Sequence, residues 1–99
     1  MLNINKTKEN ETLNIALEGR LDTTTAPQLD AELKADIEGV QNLVIDMKDL
    51  EYISSAGLRV LLSAQKIMNR QGEMRIANVN EIVREVFDVT GFSDILTIL

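Results

Sequence analysis

The stretch NLVIDMKDLEYISSAGLRVLLSAQKIMNRQGEMRIAN, residues 42–78, carries the reading of the fold. It opens on a short apolar run, NLVIDM (42–47), bounded by polar residues. That is the pattern of a strand covered on both faces, which asks for helices on both sides or for a helix and a partner. Leu58, Leu61, Leu62, Gln65 and Met68, with Val60, Ala64 and Ile67 beside them, then give a helix over about 56–70 a broad apolar surface. Arg59, Ser63, Lys66 and Arg70, spaced i, i+4, i+7 and i+11, read as its solvent edge, and Gly72 as its stop. EMRIAN (73–78) alternates Met74 and Ile76 as a further strand. Strand, buried helix and strand joined by short connections imply parallel pairing through a crossover helix.

The flanks extend this unit. Leu2 and Ile4, then Leu13, Ile15 and Leu17, alternate with polar residues around a polar turn, KENE (8–11), so a hairpin opens the chain. In GRLDTTTAPQL, Pro27 suits a first helical turn and Thr25 is a better cap than Ala26. A helix follows over about 26–38, with Ala26, Leu29, Leu33 and Ile37 as its core stripe and Gly39 at its end. NEIVREVFDVTG (80–91) sets Ile82, Val83, Val86 and Phe87 on one helical face, with Asn78 or Asn80 as cap and Gly91 as terminator. DILTIL closes as a last strand or short helix. The expected fold is α/β: a mixed, mostly parallel sheet with crossover helices, in the order β-β-α-β-α-β-α plus a short C-terminal element. With 99 residues, 44% of them hydrophobic, and no repeat or linker, one domain over residues 1–99 with a single core is expected. Phe87, Phe92 and Tyr52 are the only aromatics, so that core rests on Leu, Ile, Val, Ala and four Met.

The chain has neither Cys nor His. Thiolate nucleophiles, imidazole bases and nitrogen- or sulfur-ligated metal sites are excluded, and no cofactor, metal or catalytic residue is expected. Asp46, Asp49 and Glu51 lack calcium-loop spacing and read as a solvated turn. SAQK (63–66) matches a Ser-x-x-Lys pattern but lies within a buried helix, and YISSAG lacks the first glycine of a nucleophile elbow. The net charge of −6 opposes phosphate backbones and anionic membranes, so a protein partner is expected in place of nucleic acid. The N-terminus lacks the features of a signal peptide, and the apolar runs fall far below the roughly 20 residues that cross a bilayer. A cytoplasmic protein without membrane insertion is the expectation.

Two adjacent serines stand between strand and buried helix, and either Ser54 or Ser55 can serve as N-cap. A cap accounts well for Ser54 and leaves Ser55 in the first turn, its hydroxyl free to point outward beside the small residues Ala56 and Gly57. A phosphate there would meet the positive end of the helix and free N–H groups, so the fold should tolerate it.

LVIDMKDLEYISSAGLRVLL resembles the central segment of a STAS domain, the fold shared by bacterial anti-sigma factor antagonists and the cytoplasmic tails of sulphate transporters. GRLDTTTAPQL resembles the family's strand, loop and first helix, and VNEIVREVFDVTGFSDIL its C-terminal helix and Thr-Gly turn. The resemblance implies an anti-sigma factor antagonist, a non-enzymatic binding module released from its partner by serine phosphorylation. The family motif Asp-Ser-(Ser/Thr/Ala)-Gly-Leu aligns through Gly57 and Leu58, which puts Ser55 on the modified serine and Ser54 on the Asp. Ser54 is thereby a second candidate for modification. The implied docking surface comprises Asp22, Thr23, Thr24, Ser54, Ser55, Ala56, Gly57, Leu58 and Arg59. Asp22 also has a plainer reading as a turn or capping carboxylate. Asp46 reads as structural, bonding loop amides near the serine. The implied partners are an anti-sigma factor with serine kinase activity and a serine phosphatase. The alternative is an unphosphorylated STAS subunit of a lipid-exporting ABC transporter or another signalling scaffold.

Overall fold

A computed structural model describes all of residues 1–99. The order is β1 (Leu2–Glu9), β2 (Thr12–Leu21), α1 (Ala26–Asp36), β3 (Asn42–Ile53), α2 (Ser55–Gln71), β4 (Glu73–Ala77), α3 (Glu81–Thr90) and a 3-10 turn at Phe92–Asp94. The sheet runs β1-β2-β3-β4, with β1 antiparallel to β2 and the other pairs parallel. Fold class and element order agree with the sequence reading. The opening turn tightens to two residues because Asn10 accepts a left-handed φ of 55°, which asparagine tolerates better than most residues. The chain end combines both expectations: the 3-10 turn, then a parallel bridge from Ile98 to Ile76.

The central strand differs from expectation in length and in cover. β3 does not stop at Met47 but runs on through KDLEY to Ile53. Its pairing with β2 skips a residue twice, from Ala16↔Asp46 to Glu18↔Asp49 and from Gly19↔Leu50 to Arg20↔Tyr52. Each extra residue is a bulge, and the two bulges space the inward residues Met47, Leu50 and Ile53 by three, breaking the period of two expected of a strand.

Register shows that helices cover only one face. Paired residues share a face, so Leu13, Ile15, Leu43, Ile45, Met74 and Ile76 form one surface, and all are buried. Asn5, Thr7, Asn14, Ala16, Val44 and Asp46 form the other, where only strand residues and Asn78 line a shallow depression. Val44 is the residue that gave NLVIDM its continuous apolar look, and it points away from the core.

One apolar cluster joins the inward sheet face to Leu29 and Leu33 of α1, Leu58, Leu61 and Met68 of α2, and Val83 and Phe87 of α3. The Ala26, Leu29, Leu33, Ile37 stripe is buried as its spacing predicts. Gln71 Nε2 donates to the Ile37 and Val40 carbonyls, tying the end of α2 to the end of α1. Lys6 lies on the inward row of β1 and reaches Glu32 and Asp36 of α1. Hydrogen bonds to Asp36 and then Glu32 hold its ammonium above the ordinary lysine range. An inward lysine also makes this edge strand a poor template for another chain.

α3 departs from the sequence reading at one position. Val83 and Phe87 are buried, whereas Ile82, expected on the same face, is 63% exposed. Asn80 is the cap, its Oδ1 accepting from the Val83 amide at 2.9 Å, and its Nδ2 donates to the Leu50 carbonyl at 2.6 Å. This second bond turns the helix so that Ile82 faces outward, beside the part of β3 that β4 is too short to pair.

Neighbouring substitutions on β3 test the one-sided sheet. Urea unfolding is expected to show Ile45→Ala losing about 2–5 kcal/mol, while Val44→Thr stays within about 0.5 kcal/mol of wild type. Comparable losses at both positions would mean that the second face is covered.

Candidate functional site

The site forms where the parallel strands β2 and β3 end side by side, the place at which open α/β sheets present loops to ligands. Leu21 pairs with Ile53, and the Ser54 amide donates to the Leu21 carbonyl at 2.9 Å. The β2–α1 loop and the start of α2 therefore share one surface. Ser54 is the N-cap of α2, with extended backbone and its Oγ accepting from the Gly57 amide at 3.4 Å. Ser55 is the first helical residue and is exposed. The division of labour read from the sequence, cap for Ser54 and outward hydroxyl for Ser55, is the one found.

Gly57 explains how α2 comes so close to the sheet. A Cβ at this position would lie 2.7 Å from Leu21 Cγ and 2.9 Å from Ile53 Cγ1, both closer than packed carbons approach. Gly57 and Leu58 are buried. These two shape the surface from beneath, and the exposed members of the expected docking set are Thr23, Thr24, Ser55 and Arg59, with Asp22, Ser54 and Ala56 half-buried.

Asp22 organises the facing loop. Its Oδ1 accepts from the Thr24 amide at 3.0 Å, the Thr24 hydroxyl at 2.7 Å and the Thr25 amide at 3.2 Å. The Thr24 hydroxyl is the main cause, with the loop amides adding to it, that holds this carboxyl below the usual aspartate range. Thr25 occupies the cap position of α1 but its hydroxyl does not bond the helix: it accepts from the Asp22 amide at 2.9 Å and donates to the Arg20 carbonyl at 2.8 Å. The turn-carboxylate role of Asp22 is thus real, and through it Thr24 is held in place beside the exposed Thr23.

Asp46 bonds the Lys48 amide at 2.9 Å and Asn78 Nδ2 at 3.1 Å. It braces the first bulge on the open sheet face and is not near the serines, since it pairs with Ala16, midway along β2. A feature missed in the sequence stands next to Asp22: the Arg20 guanidinium lies 4.4 Å from the centre of the Tyr52 ring, and Arg20 Nε is 3.9 Å from Asp22 Oδ2. Arg20 and Tyr52 are direct partners only because of the second bulge, and no sequence pattern announces it.

The STAS domain profile matches residues 3–99. The chain belongs to the STAS domain family. A STAS relative from Bordetella bronchiseptica, provisionally named the anti-sigma factor antagonist BtrV, is 43% identical over 83% of this chain and 72% of its own length. The anti-sigma-B factor antagonist of Bacillus subtilis is 34% identical over 98% of this chain and 92% of its own. Among solved STAS folds, the Bacillus cell fate determinant SpoIIAA in its phosphorylated form superposes with a TM-score of 0.77 at 21% identity, covering 98% of this chain and 91% of that one.

Two measurements probe this geometry. Gly57→Ala is expected to cost about 1–3 kcal/mol, since either Leu21 and Ile53 or the start of α2 must move. The Thr24 and Thr25 amide resonances should titrate with a midpoint below 3.8, the ordinary Asp value, and not at all in Asp22→Asn. Because the folded pKa is depressed, the contribution of Asp22 to stability is complete above that ordinary value and is lost as pH falls through the folded one.

Proposed function

We propose that this chain is an anti-sigma factor antagonist: a cytoplasmic, non-enzymatic binding module that captures an anti-sigma factor and is switched off by phosphorylation of Ser55. The observation that carries the reading is the junction of an exposed serine hydroxyl at the first turn of α2 with the Asp22 loop, locked side by side by the bond from the Ser54 amide to the Leu21 carbonyl. The names of the Bordetella and Bacillus relatives support the partner class. The phosphorylated form of SpoIIAA supports the switch.

The physical account runs through the helix. The anti-sigma factor, acting as a kinase, transfers the γ-phosphoryl group of its ATP to Ser55 Oγ; ADP leaves, and the hydroxyl proton passes to a base on the kinase. The new group carries about −1.5 to −2 charges. It meets the positive end of a 17-residue helix, where the first N–H groups have no intrahelical partner, so the fold accepts it. The partner bears the cost. A dianion in the middle of the contact must be desolvated, and it adds to a chain whose net charge is already −6. Thr23, Thr24 and Arg59, the other exposed members of the docking set, supply the remaining contacts. A serine phosphatase resets the switch.

Incubation with ATP and the cognate anti-sigma factor, followed by peptide mass spectrometry, is expected to mark Ser55. Ser55→Ala should remove the mark, while Ser54→Ala should keep it and lose about 1 kcal/mol of stability with the cap. Ser55→Asp should weaken binding by about 5–150-fold, the usual span of a coupling between sites. Phosphate on Ser54 alone would reassign the switch, and full affinity of Ser55→Asp would remove it.

A further inference from the structure

The exposed stripe of α3 is an apolar feature left unexplained by the core. Ile82 is 63% exposed and Val89 80%, and both lie with Val86, Glu85 and Thr90 around one shallow depression. At 100° per residue, positions 82, 86 and 89 fall within about 60° of one another on the helix. They form a second stripe, distinct from the buried pair Val83 and Phe87. Ile82 also lines a groove between the bulged end of β3 and the start of α3, together with Glu18, Arg20, Asp49, Glu51 and Glu81. Arg20 closes the circuit, since it also touches Tyr52 and Asp22. The stripe is therefore continuous with the Asp22–Ser55 surface through one open groove.

The geometry points to a second contact for the same anti-sigma factor: an amphipathic segment whose apolar residues seat on Ile82, Val86 and Val89 and whose flanking Lys or Arg side chains face the acidic rim. This inference rests on the function proposed above. Charge selects the occupant. The groove presents four carboxylates, Glu18, Asp49, Glu51 and Glu81, against the two cations Arg20 and Lys48, and Arg20 is already engaged by Tyr52 and Asp22. Beyond the groove the stripe is bordered by Glu85. A second copy of this chain would bring Glu81 and Glu85 against the same carboxylates, and its Arg84 is already paired with Asp88 at 3.7 Å. A basic flank meets no such opposition.

The test is calorimetric titration of the full 99-residue chain with its cognate anti-sigma factor, comparing Val89→Lys with Val89→Glu. Val89 is nearly all solvent-exposed, so both variants should melt like wild type. They remove the same apolar contact and differ only in sign of charge. Val89→Lys is expected to weaken binding about tenfold or more, Val89→Glu by no more than about threefold, with the gap closing at high salt. Equal affinities for all three proteins, or a larger loss with Val89→Glu, overturn the inference. So does dimerisation of the wild-type chain that Val89→Lys abolishes, which would give the face to a second copy. Ser55→Glu separates this inference from its parent reading. Binding lost in Ser55→Glu but kept in Val89→Lys removes only the α3 contact; the reverse removes only the Ser55 switch; and no binding by the wild-type chain removes both.

Discussion

The close seating of the first turn of α2 on the ends of β2 and β3 governs the rest of the structure. It needs a residue without a side chain at position 57, because Leu21 and Ile53 occupy the space a Cβ would take. Once Gly57 is in contact, helical geometry fixes every other direction. Gly57, Leu58, Leu61, Ala64, Gln65 and Met68 fall on one buried arc, and Ser55, Arg59, Lys66 and Arg70 fall on the opposite one. The exposure of Ser55 follows from the burial of Gly57. The same seating brings the Ser54 amide to the Leu21 carbonyl, so the Asp22 loop cannot shift without disturbing the start of the helix. Two loops distant in sequence become one rigid surface.

The two bulges in β3 serve that seating. A regular strand of this length would turn either Leu50 or Ile53 outward, since a step of three reverses the face. Each inserted residue restores the inward direction, so Met47, Leu50 and Ile53 all reach the core while the strand gains length toward α2. The outward residues opposite them, Asp49 and Tyr52, are exposed, and Asp49 lines the groove beside the start of α3. β4 pairs only with Asn42–Asp46, and the unpaired remainder of β3 is instead met by Asn80, which caps α3 and bonds the Leu50 carbonyl at once. The bulged strand thus sets the tilt of α3 and leaves Ile82 uncovered.

Much of this was legible in the sequence, and the parts that were not share a cause. Periodicity identified every helix, because Leu29, Leu33, Leu61, Met68, Val83 and Phe87 recur at helical spacing and all are buried. Cap chemistry separated Ser54 from Ser55, since only one hydroxyl can serve the N-cap. The length of β3, the stack of Arg20 on Tyr52 and the exposure of Ile82 were hidden because all three depend on strand register, and a bulge leaves no mark in composition. Of the two covers the sequence allowed, helices on both sides is the one the structure lacks, as Val44 shows. One outward valine makes an alternating strand look like a continuous apolar run, and only pairing with Asn14 and Arg75 reveals its direction.

The same geometry would let the proposed modification at Ser55 alter binding without altering the fold. Free amides at the start of α2 and the positive end of the helix favour an added anion, and nothing buried need move, since Ser54 and not Ser55 holds the cap. Had the reactive hydroxyl been the capping one, phosphorylation would have removed the acceptor of the Gly57 amide and loosened the turn that seats on Leu21 and Ile53. Under the proposed switch, two adjacent serines would keep the structural and the switching duties apart. The energy of a phosphate at this position is then directed outward, into the contact with a partner, and that separation is what a protein needs if its two states are to differ in what they bind while sharing one stable structure.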